Sequence, residues 1–458
     1  MGLQKQLLSL LMLFLCSYSC YSILQEDQLS TYLDESSVYD TRTYPNYFRT
    51  IDDRENEFEP VLRNFINYKT EISTLEQFDQ VGNLATSIKV VNVDDYGAKG
   101  DGRDDTEAFK NAWRAACSSS FDVLLVPQNK NYLLKQITFS GPCKSDLKMV
   151  IYGKIEASND LADYENDRRH WLIFKNIENF LVEGGGTING NGNIWWKNSC
   201  KINKKLPCRP APTAITFYEC KNLQVRNLNI KDSQQMHVAF QNCVNVQVIN
   251  LIITAPGKSP NTDGIHVTET QNILIKSCVI KTGDDCISIV SGSSKVQAND
   301  ITCGPGHGIS IGSLGGGNQE AHVSDVVVDR AKFYGTTNGV RIKTWQGGSG
   351  SAKKFKFHNV FMYNVTNPII IDQNYCDQDE PCKEQSSAVQ VEKVMYKNIK
   401  GTSASEVAVQ FDCSKTFPCL GILLEDINIV REGGGGTPTA SCDNVKWTQK
   451  GKVSPLCP

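Results

Sequence analysis

Three aspartates and a histidine stand at regular steps in this chain. Asp263, Asp285 and His307 are each 22 residues apart, and Asp284 adjoins Asp285. They sit in small polar knots: Asn261-Thr262-Asp263-Gly264, Gly283-Asp284-Asp285-Cys286 and Gly306-His307-Gly308. An alternating apolar run follows each knot: Ile265-His266-Val267, Ile287-Ser288-Ile289 and Ile309-Ser310-Ile311. Taken singly, such Asp-Gly knots are ordinary turn sequences. The equal spacing singles them out. Carboxyls brought close together repel when ionised, so at least one is expected to keep its proton at mildly acidic pH. A protonated carboxyl beside an ionised one is what acid and base work on a glycosidic bond needs. His307 next to them can tune the acid.

The elements that position these residues must make neighbours of groups 22 residues apart. From about Phe180, alternating apolar segments begin near Leu223, Val246, Ile273, Val296 and Val323, at steps of 23, 27, 23 and 27. Many segments carry an Asn before a β-branched or leucine run, as at Asn227, Asn250, Asn359 and Asn398. A period of 20 to 30 residues without intervening helices indicates a solenoid. The expected fold is all-β, a right-handed parallel β-helix whose strands pair with the coils above and below at about 4.8 Å. On such a stack Asp263, Asp285 and His307 form a ladder along one face. Asp284 and Asp285 would face opposite ways in a flat strand. Both reach one groove only at a bend or strand end, for which Gly283 is suited.

The next coil adds Arg341-Ile342-Lys343, which places two cations on one strand face with Ile342 on the other. They would suit a carboxylated sugar, since Arg can grip a carboxylate with two hydrogen bonds. Trp345 and Tyr375 could stack on sugar rings. His237 and His266 read as structural. Later steps widen, from 29 (Val340 to Ile369) to 38 (Ile369 to Val407), so longer turns would wall the site.

The rest of the chain divides into three parts. Residues 1–22 read as a signal peptide: Lys5, an apolar core from Leu7 to Leu15, then small residues. That core is too short to span a bilayer. Residues 23–88 carry 13 acidic and 5 basic side chains and read as an acidic extension or propeptide. Residues 89–458, with 41 basic and 37 acidic side chains, are expected to form the β-helix domain. Within it, Thr106 to Cys117 has helical spacing, with Thr106 as its cap. This short N-terminal helix is well placed to cover the open end of the stack. The loop from Asp95 to Gly102 lacks the pattern of a phosphate cradle. Of 17 cysteines, 15 follow the signal region. Candidate disulfides are Cys200/Cys208, Cys376/Cys382, Cys413/Cys419, Cys286/Cys303 and Cys442/Cys457. Cys278, inside an apolar run, is the expected buried free thiol.

Asn-Thr-Asp at 261–263, Gly-Asp-Asp-Cys at 283–286, Gly-His-Gly-Ile-Ser-Ile-Gly-Ser at 306–313 and Arg-Ile-Lys at 341–343 resemble the four motifs of polygalacturonases. These are family 28 of the glycoside hydrolases. The resemblance runs from about Val90 to Cys457, and Thr344 to Gly348 is similar to secreted plant members. It implies the same β-helix and inverting hydrolysis of α-1,4 links between galacturonic acids in pectin. It makes Asp284 the proton donor, Asp263 and Asp285 the pair that activates water, and His307 their neighbour. It makes Arg341, Lys343 and Tyr375 substrate contacts. It implies no metal and no cofactor. Pectin is the expected partner, with neither nucleic acid nor membrane. A secreted, cell-wall monomer with endo action is expected. Three alternatives stay open: a calcium-dependent pectate lyase, a hydrolase of rhamnogalacturonan or another decorated pectin, and a non-catalytic wall-binding protein.

Overall fold

The computed structural model describes residues 89–458, apart from 120, 378–381 and 435. The signal peptide and acidic extension expected over residues 1–88 lie outside the described residues. The described chain winds as a right-handed parallel β-helix, coil upon coil. One face is an 11-stranded sheet running from Ile137–Ser140 to Thr439–Asp443. The other strands form a 22-stranded sheet. Its two ladders merge at the long strand Ser349–Val365, which pairs with both Glu320–Asp329 and Lys332–Tyr334.

The sequence alternation explains why these segments are strands. Residues Val238, Ile265, Ile287, Ile309, Val340, Ile369 and Val409 lie in register on successive coils of the 11-stranded sheet. All are buried, as is the parallel column from Phe240 through Ile289 and Ile342 to Phe411. β-branched side chains fit this pleated, stacked interior. Each one fully buried contributes roughly 1.5–3 kcal/mol, so Ile287→Ala would cost about 2–5 kcal/mol. Nearer the N-terminal end the column is aromatic. The rings of Phe139, Phe174, Phe217 and Phe240 stack at 4.9, 5.1 and 5.3 Å.

The asparagines seen in the repeat are corners. Asn227, Asn250, Asn359 and Asn398 all have φ between 49° and 56°. Among side-chain-bearing residues, Asn tolerates this left-handed conformation best. Their amides also tie coil to coil: Asn250 donates to Asn227 at 2.8 Å and Asn398 to Asn359 at 2.7 Å.

Two repeat steps differ from the sequence reading. Val296 is in register with Val326, whereas Val323 pairs with Ala352. The strand starts at Glu320, so its first apolar residues precede the repeat position. Ile369 pairs with Val409 rather than Val407, because the strand Val407–Asp412 begins two residues before its paired, buried position.

The helix spans Thr106–Ser118 and seals the N-terminal end of the stack. Trp113 packs on Phe139 at 5.1 Å and edge-on to Phe180 at 5.7 Å. The cap position belongs to Asp105, one residue before the expected Thr106. The Thr106 hydroxyl instead accepts from the Lys135 amide at 2.8 Å, and its own amide donates to Asp104.

All five disulfides suggested by spacing are present, with a sixth, Cys117–Cys143, pinning the helix to the first coils. Cys278 is a buried free thiol, as are Cys220 and Cys243. Among the described residues, no helix is long and apolar enough to cross a membrane.

Candidate active site

Ile265, Ile287 and Ile309 are stacked in register, so the residues two positions before them, Asp263, Asp285 and His307, are stacked too. The 22-residue step is one turn of the solenoid. Asp284 and Asp285 sit at a bend just before the strand Ile287–Ile289, and so both serve one groove. Glycine makes the bend possible by close approach. A Cβ on Gly283 would lie 2.0 Å from the Ser259 carbonyl oxygen. Gly308, at φ +83°, has both the left-handed backbone and a neighbouring carbonyl 2.1 Å from where a Cβ would be. The disulfide Cys286–Cys303 fixes the Asp285 coil to the turn before His307.

Asp285 is buried and fully engaged. Its Oδ1 accepts from Arg341 Nη2 at 2.9 Å and from the Ser310 hydroxyl at 2.8 Å. Its Oδ2 accepts from Lys343 Nζ at 3.0 Å. Arg341 and Lys343 thus share the outer strand face, while Ile342 between them is buried inside. Asp284 is more open. Its Oδ1 lies 3.0 Å from His307 Nδ1, and Asn261 donates to its Oδ2 at 3.3 Å. Asp263 is buried, and its Oδ2 accepts from the Ser288 hydroxyl at 2.7 Å. The Lys343 ammonium lies 5.4 Å from the Tyr375 ring centre, within cation–π range. Trp345 meets Tyr375 edge-to-face at 5.2 Å.

The carboxyls are not equivalent. Burial, then the charges of Asp284 and Asp285, push the Asp263 carboxyl well above the ordinary range. Burial also works against an ionised Asp284. There the His307 hydrogen bond and charge, with Lys343, outweigh it and hold the carboxyl below its usual value. Burial and neighbouring charge thus favour a proton on Asp263 over one on Asp284.

The structure brings together Asp263, Asp284, Asp285, His307, Arg341 and Lys343, with Tyr375 at the edge. His237 is buried, and its Nδ1 donates to the Asp263 carbonyl at 2.9 Å. Sequence reasoning misses Ser288, Ser310 and Asn261, which hold the three carboxylates. The signal for the serines is their place as the polar member of an Ile-Ser-Ile alternation.

The description "Glycosyl hydrolases family 28" matches residues 117–454. The chain belongs to that family. Like the chain, the polygalacturonase of Persea americana spans nearly the whole length: identity is 57%, over 97% of this chain and 95% of that one. The polygalacturonase of Malus domestica is 55% identical over the full length of both. Among solved structures, an exopolygalacturonase of Thermotoga maritima has a TM-score of 0.66 at 20% identity, covering 86% of this chain and 96% of that one. An endo-xylogalacturonan hydrolase of Aspergillus tubingensis has 0.67 at 21%, covering 79% and 100%. Exo and endo enzymes alike thus share the fold of this family 28 chain.

In this family 28 site one oxygen or nitrogen each from Asp284, Asp285 and His307 lies within 4.8 Å of the others. That geometry could hold a metal ion. Both Asp285 oxygens, however, already face Arg341 and Lys343, whose charges oppose a second cation there.

A contact that no repeat predicts joins two disulfide loops. Lys201, in the Cys200–Cys208 loop, pairs with Asp377, in the Cys376–Cys382 loop, at 2.7 Å. The first loop precedes the strand Thr213–Tyr218 and the second follows Asn367–Tyr375. Six coil-to-coil steps separate these strands, roughly 29 Å along the axis. The coils carrying the carboxylates lie between.

Proposed function

We propose that this chain is a secreted polygalacturonase that hydrolyses α-1,4 galacturonosyl links of pectin with inversion and endo action in the cell wall. The observation that carries the reading is the meeting of Asp263, Asp284, Asp285 and His307 on consecutive coils, with Arg341 and Lys343 on the next. The near-full-length likeness to plant polygalacturonases supports the substrate class. The six disulfides support an oxidising, extracellular setting.

Asp284 is the proton donor to the leaving glycosidic oxygen. A donor must touch that oxygen, and the Asp284 side chain is 18% exposed against 2% for Asp285. Asp285, held by two cations and a hydroxyl, orients the water. Asp263 takes the water's proton. Asp284 and Asp285 are closer than the roughly 6.5–9.5 Å of ordinary inverting pairs. The water therefore sits against Asp263 and Asp285 together. Turnover needs the proton on Asp284 instead of Asp263. Arg341, Lys343 and Tyr375 bind the sugar next to the cleaved link, with the cations matched to its carboxylate.

The Lys201–Asp377 pair is exposed and worth about 0–1 kcal/mol, so it does not bar a long chain from the groove. A strap that weak supports the endo reading. Product analysis on unesterified polygalacturonate tests the reading. A ladder of saturated oligomers, with the inverted anomer formed first by NMR, is expected. Monomer alone would mean exo action, and an unsaturated, ultraviolet-absorbing product would mean elimination.

A further inference from the structure

The outer column of the site sheet reads His266, Ser288, Ser310, Arg341 on successive coils. Both serines donate to a carboxylate on the preceding coil: Ser288 to Asp263 at 2.7 Å and Ser310 to Asp285 at 2.8 Å. Both serine oxygens have a second partner. For Ser310 it is Arg341 Nε, at 3.0 Å. For Ser288 it is His266 Nδ1, at 2.8 Å. The two hydrogen-bond chains match in form and differ at the far end.

That difference has a chemical consequence. Arginine can only donate, and it keeps its proton at any working pH. The chain Arg341–Ser310–Asp285 therefore has one direction and ends on an acceptor, a carboxylate. A neutral imidazole nitrogen either donates or accepts, depending on the tautomer. The chain His266–Ser288–Asp263 can run both ways. With the proton on Nδ1, the ring donates to Ser288, which donates to Asp263 as a carboxylate. With the proton on Nε2, Asp263 as an acid donates to Ser288, which donates to Nδ1.

We propose that Ser288 and His266 are positioning residues that carry away the proton Asp263 takes from water, returning Asp263 to its carboxylate form. The inference rests on the role of Asp263 proposed above. The step balances. The Asp263 proton moves to Ser288 Oγ, the Ser288 proton moves to His266 Nδ1, and the Nε2 proton leaves to solvent. Net, one proton passes from Asp263 to water and the ring changes tautomer. His266 is half-buried, so the ring is not sealed from solvent. Its basicity is low: burial pushes its pKa down to about 4, Lys343 adds to that and Asp285 opposes it. The ring thus stays neutral, as a reversible chain requires. The charged groups facing Asp263 are Asp284, Asp285 and Lys343, and those facing His266 are Asp285 and Lys343.

The test compares Ser288→Ala, Ser288→Thr, His266→Phe and His266→Asn with the parent on polygalacturonate, reading kcat, KM and the pH profile. Ser288→Ala and His266→Phe are expected to lower kcat about tenfold or more with KM within about twofold. Ser288→Ala also removes a hydrogen bond that favours the Asp263 carboxylate, so the acid limb moves to higher pH. Ser288→Thr keeps the hydroxyl and restores kcat. His266→Asn keeps a polar neighbour but no relay, and stays slow. Parent-like kcat and pH profile in Ser288→Ala and His266→Phe would overturn the proposal, and so would parent-like kcat in His266→Asn. If Ser288→Ala fails to fold, the two His266 variants decide. Asp263→Asn is measured alongside. Inactive Asp263→Asn with unaffected His266 variants rejects the relay alone, whereas active Asp263→Asn rejects the base assignment beneath it.

Discussion

Asp285 and Lys343 are 58 residues apart in sequence and 3.0 Å apart in the fold, both almost wholly buried. The pair shows how the solenoid converts chain distance into contact. Removing one member of a buried ion pair strands the other's charge and costs about 3–5 kcal/mol. Here Arg341 and Ser310 remain on Asp285, so the loss is smaller. Lys343→Met is expected to cost roughly 1–3 kcal/mol. Asp285→Asn should cost less stability in the Lys343→Met background than alone, without restoring activity. Denaturant melts and reducing-sugar assays of the single and double variants check both parts. Additive stability losses would contradict the direct coupling.

The His307–Asp284 contact sets the alkaline side of the pH profile. His307 is the main group holding the Asp284 carboxyl low against the opposing effect of burial. Replacing it by Asn raises the Asp284 pKa, so the acid keeps its proton to higher pH. The alkaline limb of kcat/KM should therefore shift upward, even if the maximum rate falls. A limb that stays in place or moves to lower pH would show that His307 does not tune the acid. The parent profile should be bell-shaped with an acidic optimum, because one carboxyl must be protonated while another is ionised.

Cation removal separates hydrolysis from calcium-dependent elimination. Arg341 and Lys343 already neutralise Asp285, so a divalent ion would meet two like charges there. Activity is expected to be unchanged after dialysis against EDTA. Loss of activity with recovery on adding calcium would contradict this.

Much of the architecture is legible in the chain because coil length is itself a sequence property. Equal 22-residue steps are enough to place Asp263, Asp285 and His307 in register. The recurring Asn marks left-handed corners, and alternation marks the buried faces. Register is harder. Val323 resembles a repeat start because it opens an apolar run, but strand Glu320–Asp329 is long enough to pair from either side of it. Thr106 is an ordinary cap choice, but its hydroxyl is taken up by the Lys135 amide, in the turn after the strand Asn131–Leu134. The Lys201–Asp377 contact spans 176 residues between loops with no period, so nothing in the repeat announces it. Ser288 and Ser310 are visible as outward residues, yet their role depends on which carboxylate the coil before them presents. That the raised carboxyl is Asp263 rather than Asp284 depends on burial and neighbours, which spacing does not carry.

The central claim is that Asp284 donates the proton to the leaving sugar. Its most direct measurement is the turnover of Asp284→Asn on polygalacturonate, made with the melting temperature of the same protein. The side chain keeps its size and its place beside His307 but loses the proton it would give. We expect kcat to fall about 10²- to 10⁴-fold with KM changed only a few-fold and folding intact. Turnover equal to the parent enzyme in a folded Asp284→Asn protein would contradict the account.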